Sequence, residues 1–155
     1  MNAIIHSLTY LFEVPSGVIA DTFGKKNELL LCFVFYMISF ACYALAKPSS
    51  PDVGGTFGVL IAASIFYGLG EAFRSGTHKA MIMMWLDRHG LSAYKTFIYS
   101  RTRSFSNLGS AANAILSVVI ILTLNYQLVF VISVLPFIAD FLMVSTYPSY
   151  MNETP

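Results

Sequence analysis

Five long apolar runs, separated by short polar interruptions, make up most of the chain. They cover about residues 3–20, 29–46, 56–76, 105–124 and 128–147. An α-helix needs about 20 mostly apolar residues to cross the hydrocarbon core of a bilayer, and each run is close to that length. The run from Leu29 to Ala46 is the clearest, because it holds no charged residue. The runs are apolar on most faces, so helical periodicity adds little. Barrel strands would alternate polar and apolar positions over shorter segments. Helices are then the remaining way to satisfy the backbone in lipid. The pattern predicts an all-α, polytopic transmembrane helix bundle with five spans.

The interruptions predict the connections. Gly17 to Lys26 is a tight polar turn between the first two spans, and Lys47 to Gly55 is a Pro/Gly/Ser loop. The longest polar connection runs from about Trp85 to Ser104, and Asn125-Tyr126-Gln127 is a short turn. Residues 148–155 form a polar tail that breaks the last helix.

Composition agrees. Hydrophobic residues are 56% and charged residues 11% of the 155, against about 25% charged in ordinary soluble domains. The net charge of +1 gives no bias toward nucleic acid. Cys32 and Cys42 sit ten positions apart in one apolar run. That is about 15 Å along a helix, too far for a disulfide. Basic residues set the orientation. Eight of the nine lie in or beside the first turn and the long connection, and Lys47 alone lies opposite. Those two connections are expected to be cytoplasmic, with the C-terminus, in the cell (plasma or inner) membrane. The N-terminus is then outside. Met1 to Tyr10 has no Lys or Arg and no signal-peptide pattern, so the chain is expected to enter in the middle of a longer bundle.

The first turn carries a motif. Gly17, Asp21, Gly24, Lys25 and Lys26 form G-x-x-x-D-x-x-G-K-K between two spans. This resembles the signature loop between the second and third helices of the major facilitator superfamily (MFS) of transporters. The family usually has a basic residue after the acid, where this chain has Thr22. The resemblance implies a conformational latch. Gly17 is then a close-contact residue, Asp21 the latch acid, and Lys25 and Lys26 its basic partners. Independently, a small residue permits close helix approach, and an acid at a membrane edge favours a basic partner. The plain alternative is a positive-inside hairpin turn.

Gly68 to Ile82 contains Ser75-Gly76-Thr77-His78-Lys79-Ala80. It resembles the end of the fourth helix in a bacterial and archaeal branch of the same superfamily, which often carries an acid where this chain has Met84. Lys79 or Arg74 is a further candidate partner for Asp21. Glu71, Arg74, Ser75 and His78 fall on one helical face. A polar stripe in an apolar helix usually faces the bundle interior or a water-filled path. The alternatives are a substrate or coupling-ion path and an internal Glu71–Arg74 ion pair that stabilises packing. Tyr99 to Ala112 resembles the start of the family's fifth helix. Gly109, Ser110, Ala112 and Asn113 there form a small-residue surface suited to helix packing.

Glu13 and Asp140 are isolated acids in the first and fifth spans. A charge at membrane depth costs about 2.5–3.5 kcal/mol on insertion scales, so each needs a partner, water or a proton. Both are candidate pathway or coupling residues beside Glu71, Arg74 and His78. A polar contact near the interface is the plainer role for Asp140, and a structural role beside Pro15 and Gly17 for Glu13. There is no clustered metal-ligand set, no phosphate-binding Gly-rich loop, and no cofactor or enzymatic constellation is expected.

The resemblance covers nearly the whole chain and implies helices two to six of an N-terminal transporter half. The implied activity of the parent is secondary active transport of a small solute by alternating access, with proton coupling as one form. The implied partners are the bilayer, a small-molecule substrate and the remaining helices of the full transporter. The alternative from another class is a small non-transporting membrane protein that packs against or regulates a partner.

Overall fold

The computed structural model describes residues 5–7, 9–12, 22–46, 53–123 and 125–152. The first helix, α1, is helical at residues 5–7 and 9–12, and the rest of the expected first span lies outside the described residues. Then follow α2 (Lys25–Leu45), α3 (Val53–Arg88), α4 (Lys95–Thr123) and α5 (Tyr126–Ser145). Short 3-10 turns occupy Ser92–Tyr94 and Ser149–Asn152. Among the described residues there is no strand, and α2 to α5 are each long and apolar enough to cross a membrane.

The helices α3 and α4 run further than the apolar runs suggest. With 36 residues, α3 is about 54 Å long, well beyond the roughly 30 Å hydrocarbon core. Nothing between Thr77 and Arg88 breaks a helix. The first breaker is Gly90, which adopts φ +69°. Its N–H bonds to the Asp87 carbonyl at 3.2 Å, and the Leu91 N–H bonds to the Leu86 carbonyl at 2.8 Å. That pair of bonds is a Schellman cap, which places glycine in the left-handed position. The Ser92 hydroxyl and the Lys95 ammonium each bond the Asp87 carboxylate at 2.6 Å. The expected long connection from Trp85 to Ser104 therefore shrinks to a few residues between two helices.

The centre of the bundle is α2, which packs on α3 along one side and α5 along another. Leu29, Cys32, Phe33, Tyr36, Phe73, Met81, Val144 and Met151 form the core. A ladder of rings joins the helices. Tyr36 stacks on Phe137 at 4.9 Å, Phe40 on Phe137 at 5.3 Å, and Tyr43 on Phe130 at 5.3 Å between ring centres. Polar side chains inside the α2–α3 seam bond across it, as Ser39 does to the Ala63 carbonyl at 2.8 Å. Both cysteines are free. By contrast α4 has no buried residue. Leu108, Ile115, Leu122 and their neighbours point away from the other helices.

Two sets of contacts define the ends of the bundle. At one end the Tyr126 hydroxyl, at the start of α5, donates to the Ala46 carbonyl that follows α2. At the other end come together the start of α2, the last turn of α3 and the segment after α5. The Arg88 guanidinium lies 4.2 Å from the Tyr150 ring centre.

Candidate functional site

A cavity of about 1050 Å³ opens between α2, α3, α4 and α5. Its walls follow helical spacing. From α3 come Tyr67, Glu71, Arg74 and His78, and from α5 Ser133, Phe137, Asp140 and Val144. These are steps of three and four residues, so each helix turns one face to the same space. Four candidate pathway residues, Glu71, Arg74, His78 and Asp140, line this one cavity. Glu13 lies outside the described residues.

The charge pair on α3 is tied to α2. Arg74 donates from Nη2 to Glu71 Oε1 at 2.7 Å. Tyr36 donates its hydroxyl to Glu71 Oε2 at 2.5 Å and accepts from Arg74 Nε at 3.1 Å. The hydroxyl thus closes a three-membered ring of contacts between an acid and a base. Its aromatic ring crosses Gly70 closely, where a Cβ would meet ring carbons at 3.1 Å. The internal Glu71–Arg74 ion pair is present, and both residues line the cavity. Asp140 differs. Among the described residues it has no hydrogen bond or salt bridge, although it lies within electrostatic reach of His78.

Among the described residues the small-residue face of α4 does not pack against a helix. Ser106, Gly109, Ser110 and Asn113 line the cavity instead, and a Cβ on Gly109 would meet nothing within 4 Å. These positions, three and four apart, form a polar wall opposite the aromatic one.

At the end of the cavity beside the chain terminus, the first turn meets the segment after α5. Gly24 caps α2 with φ +88°. Lys26 donates from Nζ to the carbonyls of Ser145 at 2.9 Å and Tyr147 at 2.7 Å. These are among the carbonyls that a helix end leaves without partners, and the positive charge also suits the negative end of the helix dipole. The Asn27 N–H donates to Asn152 Oδ1 at 3.3 Å. Met151 is buried and Tyr150 lines the cavity. The polar tail that follows the last helix is a docked turn from Ser149 to Asn152, with Met151 buried and Tyr150 against the open end of the core.

Over residues 3–152 the sequence matches the Major Facilitator Superfamily. The chain belongs to this superfamily. It is a multi-pass membrane protein, with the all-α helix bundle that membership entails. A similar protein is the uncharacterized MFS-type transporter YxaM of Bacillus subtilis (strain 168), 27% identical over 88 residues. That stretch is 57% of this chain and 19% of YxaM, so the chain covers about a fifth of the relative's length. No solved structure gives a significant match.

The MFS loop motif can be followed only in part. Gly17 and Asp21 lie outside the described residues, while Gly24 is the cap and Lys25 the first residue of α2. Lys26 is engaged with the end of α5, Arg74 with Glu71 and Tyr36, and Lys79 with the Tyr99 ring at 4.9 Å. One acid of this loop escapes a reading of the sequence. Glu28 is 2% exposed, and the Thr77 hydroxyl of the Ser-Gly-Thr stretch donates to its carboxylate. The two MFS-like motifs therefore meet through Glu28 and Thr77. In the sequence Glu28 follows two lysines at a membrane edge and looks like an ordinary surface charge.

Proposed function

We propose that the chain supplies one wall of the solute path of a secondary active transporter that works by alternating access. The observation that carries this reading is the Glu71–Arg74–Tyr36 group on a cavity that also receives His78 and Asp140. A paired charge in an apolar helix is costly to place, and its position on a wide polar-walled cavity gives it water and solute to act on. Superfamily membership supports the same reading. The cargo is a small solute, and the carboxyls of Glu71 and Asp140 are the sites for a coupling proton. The lipid-facing side of α4 and the open cavity leave room for further helices of the same transporter. Asp21, Gly17, Lys25 and Lys26 form the latch on the cytoplasmic side of the cell membrane. The reading assigns no enzymatic step and no cofactor.

The test needs no known substrate. Ser110→Cys, made in a Cys42→Ser background, places a thiol on the cavity wall. Cells and inside-out vesicles are treated with a membrane-impermeant thiol reagent. Alternating access predicts labelling from both faces, with Glu71→Gln changing the ratio of the two. A thiol that no aqueous reagent reaches from either face would overturn the transport reading and favour a packing module.

A further inference from the structure

Ion pairing along α3 and α4 leaves positive charge over. Among the described residues Glu71 is paired with Arg74 and Asp87 with Lys95, while Lys79, Arg101 and Arg103 reach no carboxylate. None of these three cations lines the cavity. One contact fixes their depth. The Lys79 ammonium lies 4.9 Å from the Tyr99 ring centre, so residue 79 of α3 stands level with residue 99 of α4. The two helices run in opposite directions, at about 1.5 Å per residue. The apolar run of α3 ends at residue 76 and that of α4 begins at residue 105. Both edges therefore fall within about 5 Å of one depth, and Lys79 and Arg103 stand about 3–5 Å beyond them. That is where lipid headgroups lie.

Lys79 and Arg103 share one seam. Arg103 is one turn after Tyr99 on the face of α4 that Lys79 meets. Toward the apolar core, Gly76 stands one turn before Lys79. It is exposed, and a Cβ there would meet nothing within 4 Å, so the surface below the ammonium is open. On α4, steps of three and four residues carry the Arg103 face on to Val118 and Ile121, both exposed. Cationic donors at headgroup depth thus stand above an apolar track that runs into the hydrocarbon. A soluble anion would use the cations but not the track. A zwitterionic lipid would use the track but bring its own positive charge to the cations. Basic clefts between membrane helices receive anionic headgroups. The geometry points to a binding site for one anionic phospholipid on the outer seam of α3 and α4. Its phosphate sits between Lys79, Arg103 and the Tyr99 hydroxyl, and an acyl chain lies along Val118 and Ile121. Arg101 is outside the site. Two positions from both Tyr99 and Arg103, it faces the far side of α4, where it lies 5.8 Å from the Phe97 ring centre.

The full chain in detergent is titrated with phosphatidylglycerol, with phosphatidylcholine of the same acyl chains, and with glycerol phosphate, and one-to-one adducts are followed by native mass spectrometry. The expected result is a saturable phosphatidylglycerol adduct, about tenfold or more tighter than that of phosphatidylcholine, and none with glycerol phosphate. Equal binding of the two lipids would overturn the proposal, and so would glycerol phosphate that binds as tightly as the lipid. Lys79→Gln and Arg103→Gln should each weaken the phosphatidylglycerol adduct about fivefold, and together about thirtyfold. Lys79→Arg and Arg103→Lys should keep it. Arg101→Gln removes the same charge from the far face of α4 and should change binding by less than about twofold. A loss with Arg101→Gln as large as that with Arg103→Gln would show diffuse attraction and overturn the site. The lipid comparison uses the unaltered chain, so it decides the matter even where a Gln variant fails to fold.

Discussion

Replacing Tyr36 with Phe would take away one hydroxyl and leave the ring on Phe137 and Gly70 in place. Two hydrogen bonds would go, to Glu71 Oε2 and from Arg74 Nε. Bonds to charged groups are worth about 1.5–3 kcal/mol in soluble proteins. Between membrane helices the measured average is about 0.6 kcal/mol, with a maximum near 1.7. The smaller scale applies here, because Glu71 and Arg74 still hold each other at 2.7 Å. Tyr36→Phe is expected to cost about 1 kcal/mol in thermal unfolding in detergent. It should still shift the two-face labelling ratio of Ser110→Cys, because Glu71 and Arg74 lose their link to α2. Tyr36→Ala should cost more, about 3 kcal/mol or above, since a buried ring is lost as well. If Phe and Ala at this position cost the same, the hydroxyl rather than the ring carries the stability. The stripe at Glu71, Arg74 and His78 is legible in the sequence, because polar side chains three and four apart stand out in an apolar helix. Tyr36 is not, because a tyrosine in an aromatic-rich run looks like core. Glu28 is hidden for the opposite reason, as a charge among charges.

At the level of elements, the first turn acts as a clamp on the end of α5. Gly24 serves it in two ways. Its φ of +88° suits glycine, and a side chain there would run into Asn152. With ψ at 140° the backbone lies in an extended positive-φ region that is nearly exclusive to glycine, so Gly24→Ala is expected to destabilise by about 1–3 kcal/mol from the backbone alone, with the collision added. Asn152→Ala removes the Asn152 side chain and the bond it accepts from the Asn27 N–H, and should cost less than 1 kcal/mol or so. In the double variant part of the Gly24→Ala loss should return, but not the backbone part. Thermal unfolding of the four proteins measures this coupling. Strict additivity would show that the turn and the segment after α5 do not touch. The apolar runs reveal where helices cross lipid, yet they do not show where helices stop. Gly90 marks the end of α3 in the sequence, but hydropathy places the end of the span a dozen residues earlier. The docking of Ser149–Asn152 is illegible for a related reason. Its value lies in Met151 and Tyr150 covering a core that is formed by distant residues.

For the whole molecule the distribution of charge and the geometry point the same way. Lys25, Lys26, Arg88 and the segment from Tyr147 to Asn152 gather at one end of the bundle. Residues 46 and 126 meet at the other end. If the hydrocarbon core takes the apolar residues 56–76 of α3, the twelve residues from Thr77 to Arg88 extend about 18 Å past it. The Asp87–Lys95 ion pair, held at 2.6 Å, then sits in water or among headgroups, where a surface pair adds little to stability. Its use is to set the reversal between α3 and α4, and the positive-inside rule predicts a cytoplasmic position for the lysines and arginines around it. We predict that green fluorescent protein fused after Pro155 fluoresces, and that alkaline phosphatase fused there is inactive. Alkaline phosphatase inserted between residues 47 and 52 should be active. The reverse pattern would place the Lys26 clamp outside the cell, and with it the latch assigned to Asp21 and its neighbours.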